Sequence, residues 1–336
     1  MWKRYMKRLI AFGHPEWPHT INIIPMAFAI DIKLFFDVSR MFPFIFCKNN
    51  VFWGNNCFFF LFFLFLQKNM FMKRRLLYFS IIMCVSFCML VYYIKPYFTP
   101  AIKQYGLSVE EHVDDTIRIA YIGDSWADRH KYEKCIIDSF VAFKTGKSVV
   151  VKTAGTSGLT SKNIYYSIFR DDSVRRVIEW GPNFCFVAAG INDSDRKIGK
   201  NYYKENMRLI IDLLLENNIV PIILEIPSYD IRFSFKRRSR LIKLQYLSAM
   251  LFSWSKMDCI LDYRDAYVDL LREKGWNKKV ITVNYDDWNP DGYNDARGLY
   301  DGGLMHLNSK GYLVLDTCIS QKIIDYLNGP TYSVSH

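Results

Sequence analysis

The stretch Ile117-Arg118-Ile119-Ala120-Tyr121-Ile122-Gly123-Asp124-Ser125-Trp126-Ala127-Asp128-Arg129 decides the reading of this chain. Its first six residues are a short apolar run rich in isoleucine, the pattern of a buried β-strand. The residues from Ala127 onward read as a helix. Gly123 lets the backbone turn tightly between the two. Ser125 is thereby left at the carboxyl end of a strand, the edge where open α/β sheets place their chemistry. A serine hydroxyl there is a candidate nucleophile, provided that a base and oxyanion donors come to meet it.

Working outward, the same strand-then-helix alternation continues from about Thr116 to Asn328. Strands are predicted at Ile117–Ile122, Ser148–Lys152, Phe184–Ala189, Val220–Ile226 and Cys259–Asp262, each a short apolar run bounded by turn residues. Helices are predicted at Ala127–Phe143, Lys162–Phe169, Tyr202–Asn217, Arg238–Ser253 and Ser309–Leu327, with Gly146 and Asn217-Asn218 as stops. Alternating β and α predicts a parallel sheet covered by helices on both faces and joined by right-handed crossovers.

The chain has 336 residues and a formal net charge of +11. Residues 1–75 carry 11 Lys/Arg against 3 Asp/Glu, a net of +8; the remainder carries 33 against 30, a net of +3. An excess that small would need clustering on one face to count as a nucleic-acid footprint, and no nucleic-acid partner is expected. Leu76 to Ile94 runs for 19 residues without a charge, close to the ~20 that cross a bilayer. Lys73, Arg74 and Arg75 precede it and only Lys95 directly follows. The positive-inside rule then predicts a single-pass anchor with the C-terminal domain outside the cytoplasm. No small-x-small cleavage site follows the run, which favours an anchor over a cleaved signal peptide. Residues 1–69 show no sustained amphipathic period and are expected to be an unstructured extension, or upstream sequence ahead of a start at Met70 or Met72. Residues 95–115 read as a linker and 116–328 as the domain.

The eight cysteines form no CxxC pair and no Cys/His cluster of zinc spacing. Cys135, Cys185, Cys259 and Cys318 read as buried thiols. Ser228 to Arg240 is a basic stretch with Phe233 and Phe235, read as a solvated loop or as a surface for an anionic polymer or lipid headgroup. Asn284 to Tyr300, rich in Asn, Asp, Gly and Tyr, suits carbohydrate contacts; its spacing does not fit an EF-hand. His130 reads as a surface helical residue, and His112 as a linker residue without a role.

Three later segments offer partners for Ser125. Ala154-Gly155-Thr156-Ser157-Gly158-Leu159-Thr160-Ser161 follows the second strand and can present a backbone N–H. Ala189-Gly190-Ile191-Asn192-Asp193 follows the third and offers a side-chain amide. Asp301-Gly302-Gly303-Leu304-Met305-His306-Leu307-Asn308 precedes the last helix and supplies an imidazole and a carboxylate.

The four segments together resemble the signature blocks of the SGNH hydrolases, the GDSL-like lipase/esterase superfamily, over about Ile117 to Leu327. The resemblance implies a three-layer α/β/α sandwich with a flavodoxin-like parallel sheet. It implies Ser125 as nucleophile, His306 as general base, and Ser125 N–H, Gly158 and Asn192 as the oxyanion hole. The chain departs from the pattern at the acid. The usual position, three residues before the histidine, is Gly303, so Asp301, five before, is expected to take the role. Trp126 stands where the first block has leucine.

The resemblance further implies a serine esterase, removing a short acyl group such as acetyl from a carbohydrate, at a bacterial inner membrane with its catalytic domain on the periplasmic side. Two alternatives share the fold: an O-acetyltransferase of envelope polysaccharide, and a catalytically weak glycan-binding member. No metal or organic cofactor is implied.

Overall fold

The computed structural model describes residues 73–94 and 98–329, apart from 291–296 and 303–304. The expected extension over residues 1–69 lies outside the described residues, as does Gly303. The chain divides at Val85/Ser86 into two units. Helix α1 (Lys73–Ile94) contains the uncharged run and crosses that division. Its side chains are described from Tyr78 to Met89. Among the described residues no helix is long and apolar enough to cross a membrane.

The second unit is an α/β fold around a five-stranded sheet. The strands are β1 (Ile117–Gly123), β2 (Val149–Gly155), β3 (Phe184–Ala188), β4 (Val220–Leu224) and β5 (Ile281–Val283), in the order 2-1-3-4-5, every pair parallel. Strands β1 and β3 are buried throughout, which explains why they read as continuous apolar runs rather than alternating ones. The chain moves from β1 to one side for β2 and crosses back for β3. This leaves a topological switch point between the carboxyl ends of β1 and β3, where a crevice forms.

Helices pack in two groups. Helices α3 (Ile137–Thr145) and α12 (Ser309–Leu327) lie against each other; α4 (Ser161–Arg170), α7 (Lys200–Glu216) and α10 (Ile260–Lys274) form the second set, with α5 (Asp172–Glu179) against α4. The short helices α2 (Ser125–His130), α6 (Ile191–Asp195), α8 (Ile231–Arg237) and α11 (Tyr285–Trp288), together with α9 (Arg240–Ser253), fill the connections.

Three elements differ from expectation. Cys259–Asp262 is not a strand: Cys259 is the N-cap of α10. Ile260, Tyr263, Tyr267 and Leu270 recur along α10 at helical spacing and are buried, and a four-residue apolar window cannot be told from the start of such a helix. The fifth strand is instead the three-residue β5. Ala127–Phe143 is two helices, α2 and α3, separated at Lys131–Ile136. The expected linker also lies against the domain: Ala101 N–H donates to Asn206 Oδ1 at 2.8 Å and Gln104 N–H to Tyr165 Oη at 2.7 Å.

Gly123 is required by close approach. A Cβ built there would lie 2.3 Å from the carbonyl oxygen of Ala188 on β3. The strand carrying the serine can therefore meet its neighbour at the switch point only through glycine.

Candidate active site

Ser125 opens α2 immediately beyond β1. Asp124 caps that helix, its Oδ1 accepting the Trp126 N–H at 3.0 Å. The Ser125 N–H is among the first of a helix, whose amides have no intrahelical partner and are available to an anion. Asp124 is buried, and that burial pushes its carboxyl up to about 7 against the Trp126 N–H bond, which favours the charged form.

His306 arrives from the other end of the chain on a short closed loop. Tyr300 pairs with Leu307, Asp301 N–H donates to His306 O at 2.8 Å, and Asn308 N–H to Leu299 O at 3.0 Å. Asn308 then caps α12 through Gly311 N–H, while its own amide donates to Gly298 O and Tyr300 O. Loop geometry and helix start are thus fixed by one side chain. His306 Nε2 stands 2.9 Å from Ser125 Oγ. Burial, and secondly the Arg129 cation, push the imidazole down to about 4; the Asp301 carboxylate opposes them. At neutral pH the ring is therefore uncharged and able to accept a proton.

Asp301 is near but not bonded to it. Its Oδ2 lies 4.0 Å from His306 Nδ1 and accepts Arg129 Nη1 at 2.7 Å. The sequence reading missed Arg129. Its signal was present, since a residue four after Ser125 falls on the same helix face.

Gly158 lies in the left-handed region (φ +84°), and its carbonyl accepts Arg196 Nη2 at 2.8 Å. The Gly158 N–H makes no hydrogen bond among the described residues. Asn192, in α6 after β3, donates its amide to Asp124 Oδ2 at 3.0 Å and to Leu159 O at 2.9 Å. It thereby ties the ends of β1, β2 and β3 together beside the serine. The next residue, Asp193, is fully buried and accepts Ser161 Oγ and Ser161 N–H.

Beside His306 opens a cavity of about 310 Å³ lined by Arg129, Phe233, Ser234, Arg237, Arg238 and Met305, with Asp301 at its wall. The Ser228–Arg240 stretch is therefore at the site. Among the described residues of Asn284–Tyr300 the rings are not free for stacking: Tyr285, Trp288 and Tyr300 are buried, and Trp288 packs edge-on against Trp126.

His130 is a correction. It is buried, not on the surface, and its Nε2 lies 2.9 Å from Asp316 Oδ1 on α12. Cys135 stands close enough that these three form a possible metal-ligand group among the described residues. Their sequence spacing, with Asp316 far downstream, concealed it. The imidazole–carboxylate bond joins the serine's helix to the helix that follows His306.

The GDSL-like lipase/acylhydrolase family matches residues 121–314. No curated relative matches in sequence. Solved structures with a similar fold include a GDSL-like lipase from Bacteroides thetaiotaomicron (18% identity, 62% of this chain and 87% of that one, TM-score 0.39). An acetyl xylan esterase (14%, 62% and 100%, 0.44) and a lipase/acylhydrolase from Enterococcus faecalis (15%, 62% and 95%, 0.43) are others. With the family spanning more than half of the chain, and covering both Ser125 and the loop that carries His306, this protein belongs to the GDSL-like lipase/acylhydrolase family and is an ester-bond hydrolase.

Proposed function

We propose that the protein is a serine esterase with Ser125 as nucleophile and His306 as general base. The observation that carries this is the 2.9 Å contact between Ser125 Oγ and His306 Nε2 at the sheet's switch point. His306 takes the hydroxyl proton as Oγ attacks the ester carbonyl. The oxyanion is held by the Ser125 and Gly158 N–H groups and by the Asn192 amide, which must release Leu159 O to reach it. His306 then gives the proton to the leaving alcohol as the ester C–O bond breaks. Water, deprotonated by His306, attacks the acyl-enzyme and releases the carboxylic acid and free Ser125. Asp301 acts from 4.0 Å through its charge, countering Arg129 at the imidazole.

The substrate we assign is a short-chain, acetyl-type ester of a carbohydrate, and the cavity beside His306 is of a size for such a group. The Leu76–Ile94 run, with three basic residues before it, is assigned as a single-pass inner-membrane anchor that leaves the domain on the periplasmic side. The helical state of that run and its solvent-facing Ile82, Val85 and Phe87 support this. The long Asp301–His306 contact is the observation that keeps a second reading, a catalytically weak glycan-binding member, alive.

A fluorophosphonate probe tests the assignment without knowledge of the substrate. Labelling of Ser125, its loss in Ser125→Ala, and release of acetate from acetylated sugars are expected, with turnover falling at least roughly 10³-fold in the variant. Undiminished turnover by Ser125→Ala would end the assignment.

A further inference from the structure

Helix α9 is attached to the domain by very little of itself. Of its 14 residues only Tyr246 is buried. Ile242 and Met250 are half-buried, while five large apolar side chains face outward: Leu241 (62% exposed), Leu244, Leu247, Leu251 (69%) and Phe252, with Trp254 (76%) just beyond its end. Residues 241, 244, 247 and 251 recur at the spacing of one helix face, so the exposure is a continuous stripe and not scattered contacts. A stripe of that kind marks an interaction surface.

Charge decides what the surface meets. From Ile231 to Ser253 the sequence holds six cations, Arg232, Lys236, Arg237, Arg238, Arg240 and Lys243, and no Asp or Glu; Arg238 is ion-paired with the buried Asp195 at 3.2 Å, which leaves three cations on α8 and two, Arg240 and Lys243, on α9 to meet an anion. Leucine and aromatic residues on one face and lysine and arginine around it are the composition of a helix that lies in a membrane interface, where the apolar face enters the acyl boundary and the cations meet anionic headgroups.

Position agrees. Phe252 lies against Phe98, with ring centroids 6.0 Å apart. Phe98 is four residues past Ile94, the end of the apolar run, and four residues of chain span at most about 14 Å. If Leu76–Ile94 is in the bilayer, α9 is held at its surface.

We propose that α8 and α9 form a second membrane contact, in which the Leu241–Trp254 stripe lies on the outer surface of the same bilayer and the cations of Ile231–Ser253 bind anionic lipid headgroups. The proposal rests on the anchor assigned above. Phe233, Ser234, Arg237 and Arg238 of this surface also line the cavity beside His306. Docking would set the mouth of the cavity at headgroup level and favour esters presented from the membrane surface.

The full-length chain is reconstituted in vesicles of phosphatidylcholine alone, in vesicles with one quarter phosphatidylglycerol, and in detergent, and backbone hydrogen exchange is followed over residues 240–254. Exchange at least about tenfold slower in the anionic vesicles than in detergent is expected, with a smaller effect in phosphatidylcholine. The combined variant Leu244→Ser, Leu247→Ser, Leu251→Ser restores fast exchange there, and unchanged exchange in β1 and β3 shows that it folds. Equal exchange in all three media, or protection in detergent that grows with protein concentration, would overturn the proposal; the second outcome would mark the stripe as a contact between two copies. An alkaline carbonate wash of the vesicles separates this result from the anchor. Protein that washes off while anionic vesicles still protect residues 240–254 keeps the surface contact and removes the anchor; protein that stays while those residues remain unprotected does the reverse.

Discussion

Arg129 Nη1 donates to Asp301 Oδ2 at 2.7 Å, and that same oxygen stands 4.0 Å from His306 Nδ1. The carboxylate nearest the imidazole is thus held by an arginine from the helix that carries Ser125. In the proposed mechanism Asp301, His306 and Ser125 are coupled through Arg129, and the consequences are measurable.

The first concerns Asp301. At 4.0 Å it acts on His306 through charge and not through a hydrogen bond. Asp301→Asn is expected to lower kcat roughly tenfold, far less than the ~10⁴ seen when a bonded triad acid is neutralised. A loss near 10⁴ would show that the carboxylate closes on Nδ1 during turnover. Steady-state kinetics on a nitrophenyl ester distinguishes the two.

The second concerns pH. His306 is depressed to about 4, by burial first and by Arg129 second. Protonation removes the base, so the acid limb of kcat/KM is expected near pH 4 instead of near 6.5. Arg129→Gln removes a cation from beside the imidazole and its hold on the Asp301 carboxylate. Both changes favour the imidazolium, so the limb moves up toward 6.5. An unchanged or lower limb in this variant would contradict the electrostatic account.

The third concerns Asn192, whose amide holds Asp124 and Leu159. In the proposed oxyanion hole it acts mainly in the transition state. Asn192→Ala should lower kcat by about 10²-fold with little change in KM. A rise in KM alone would mark Asn192 as a ground-state binding residue.

The fourth concerns the buried His130–Asp316 pair. His130→Ala leaves a carboxylate with no exposure short of its main partner. The expected cost is about 3 kcal/mol in chemical denaturation. Since α2 and α12 are joined by this pair, activity should fall before the domain unfolds. A variant as stable as the parent would refute the linking role.

The fifth concerns Gly123. The Cβ of Gly123→Ala would meet the Ala188 carbonyl oxygen at 2.3 Å. A destabilisation of about 3 kcal/mol is expected, together with loss of activity, because β1 and β3 must part at the switch point. Native stability in this variant would mean that the strand ends separate freely.

Much of the fold was legible because β1 and β3, buried on both sides, read as apolar runs and because each is followed by a turn with glycine. The fifth strand was not. Ile281–Val283 is three residues long, and Cys259–Asp262 offered a better strand-like window until the burial of Tyr263, Tyr267 and Leu270 showed a helical period. Single helices and strands follow local spacing; which of two short apolar windows joins a sheet depends on the neighbour it meets.

The chemistry divides in the same way. Order along the chain was enough to expect Ser125, Gly158, Asn192 and His306 at one edge as candidates, because a parallel sheet brings the carboxyl ends of its strands together. Residue spacing could not give the distance from Asp301 to His306, the Arg129 contact that takes up that carboxylate, the burial of His130 against Asp316, or the outward face of α9. Each of these is a relation between segments remote in sequence, or between a helix face and whatever covers it, and only packing in three dimensions decides it.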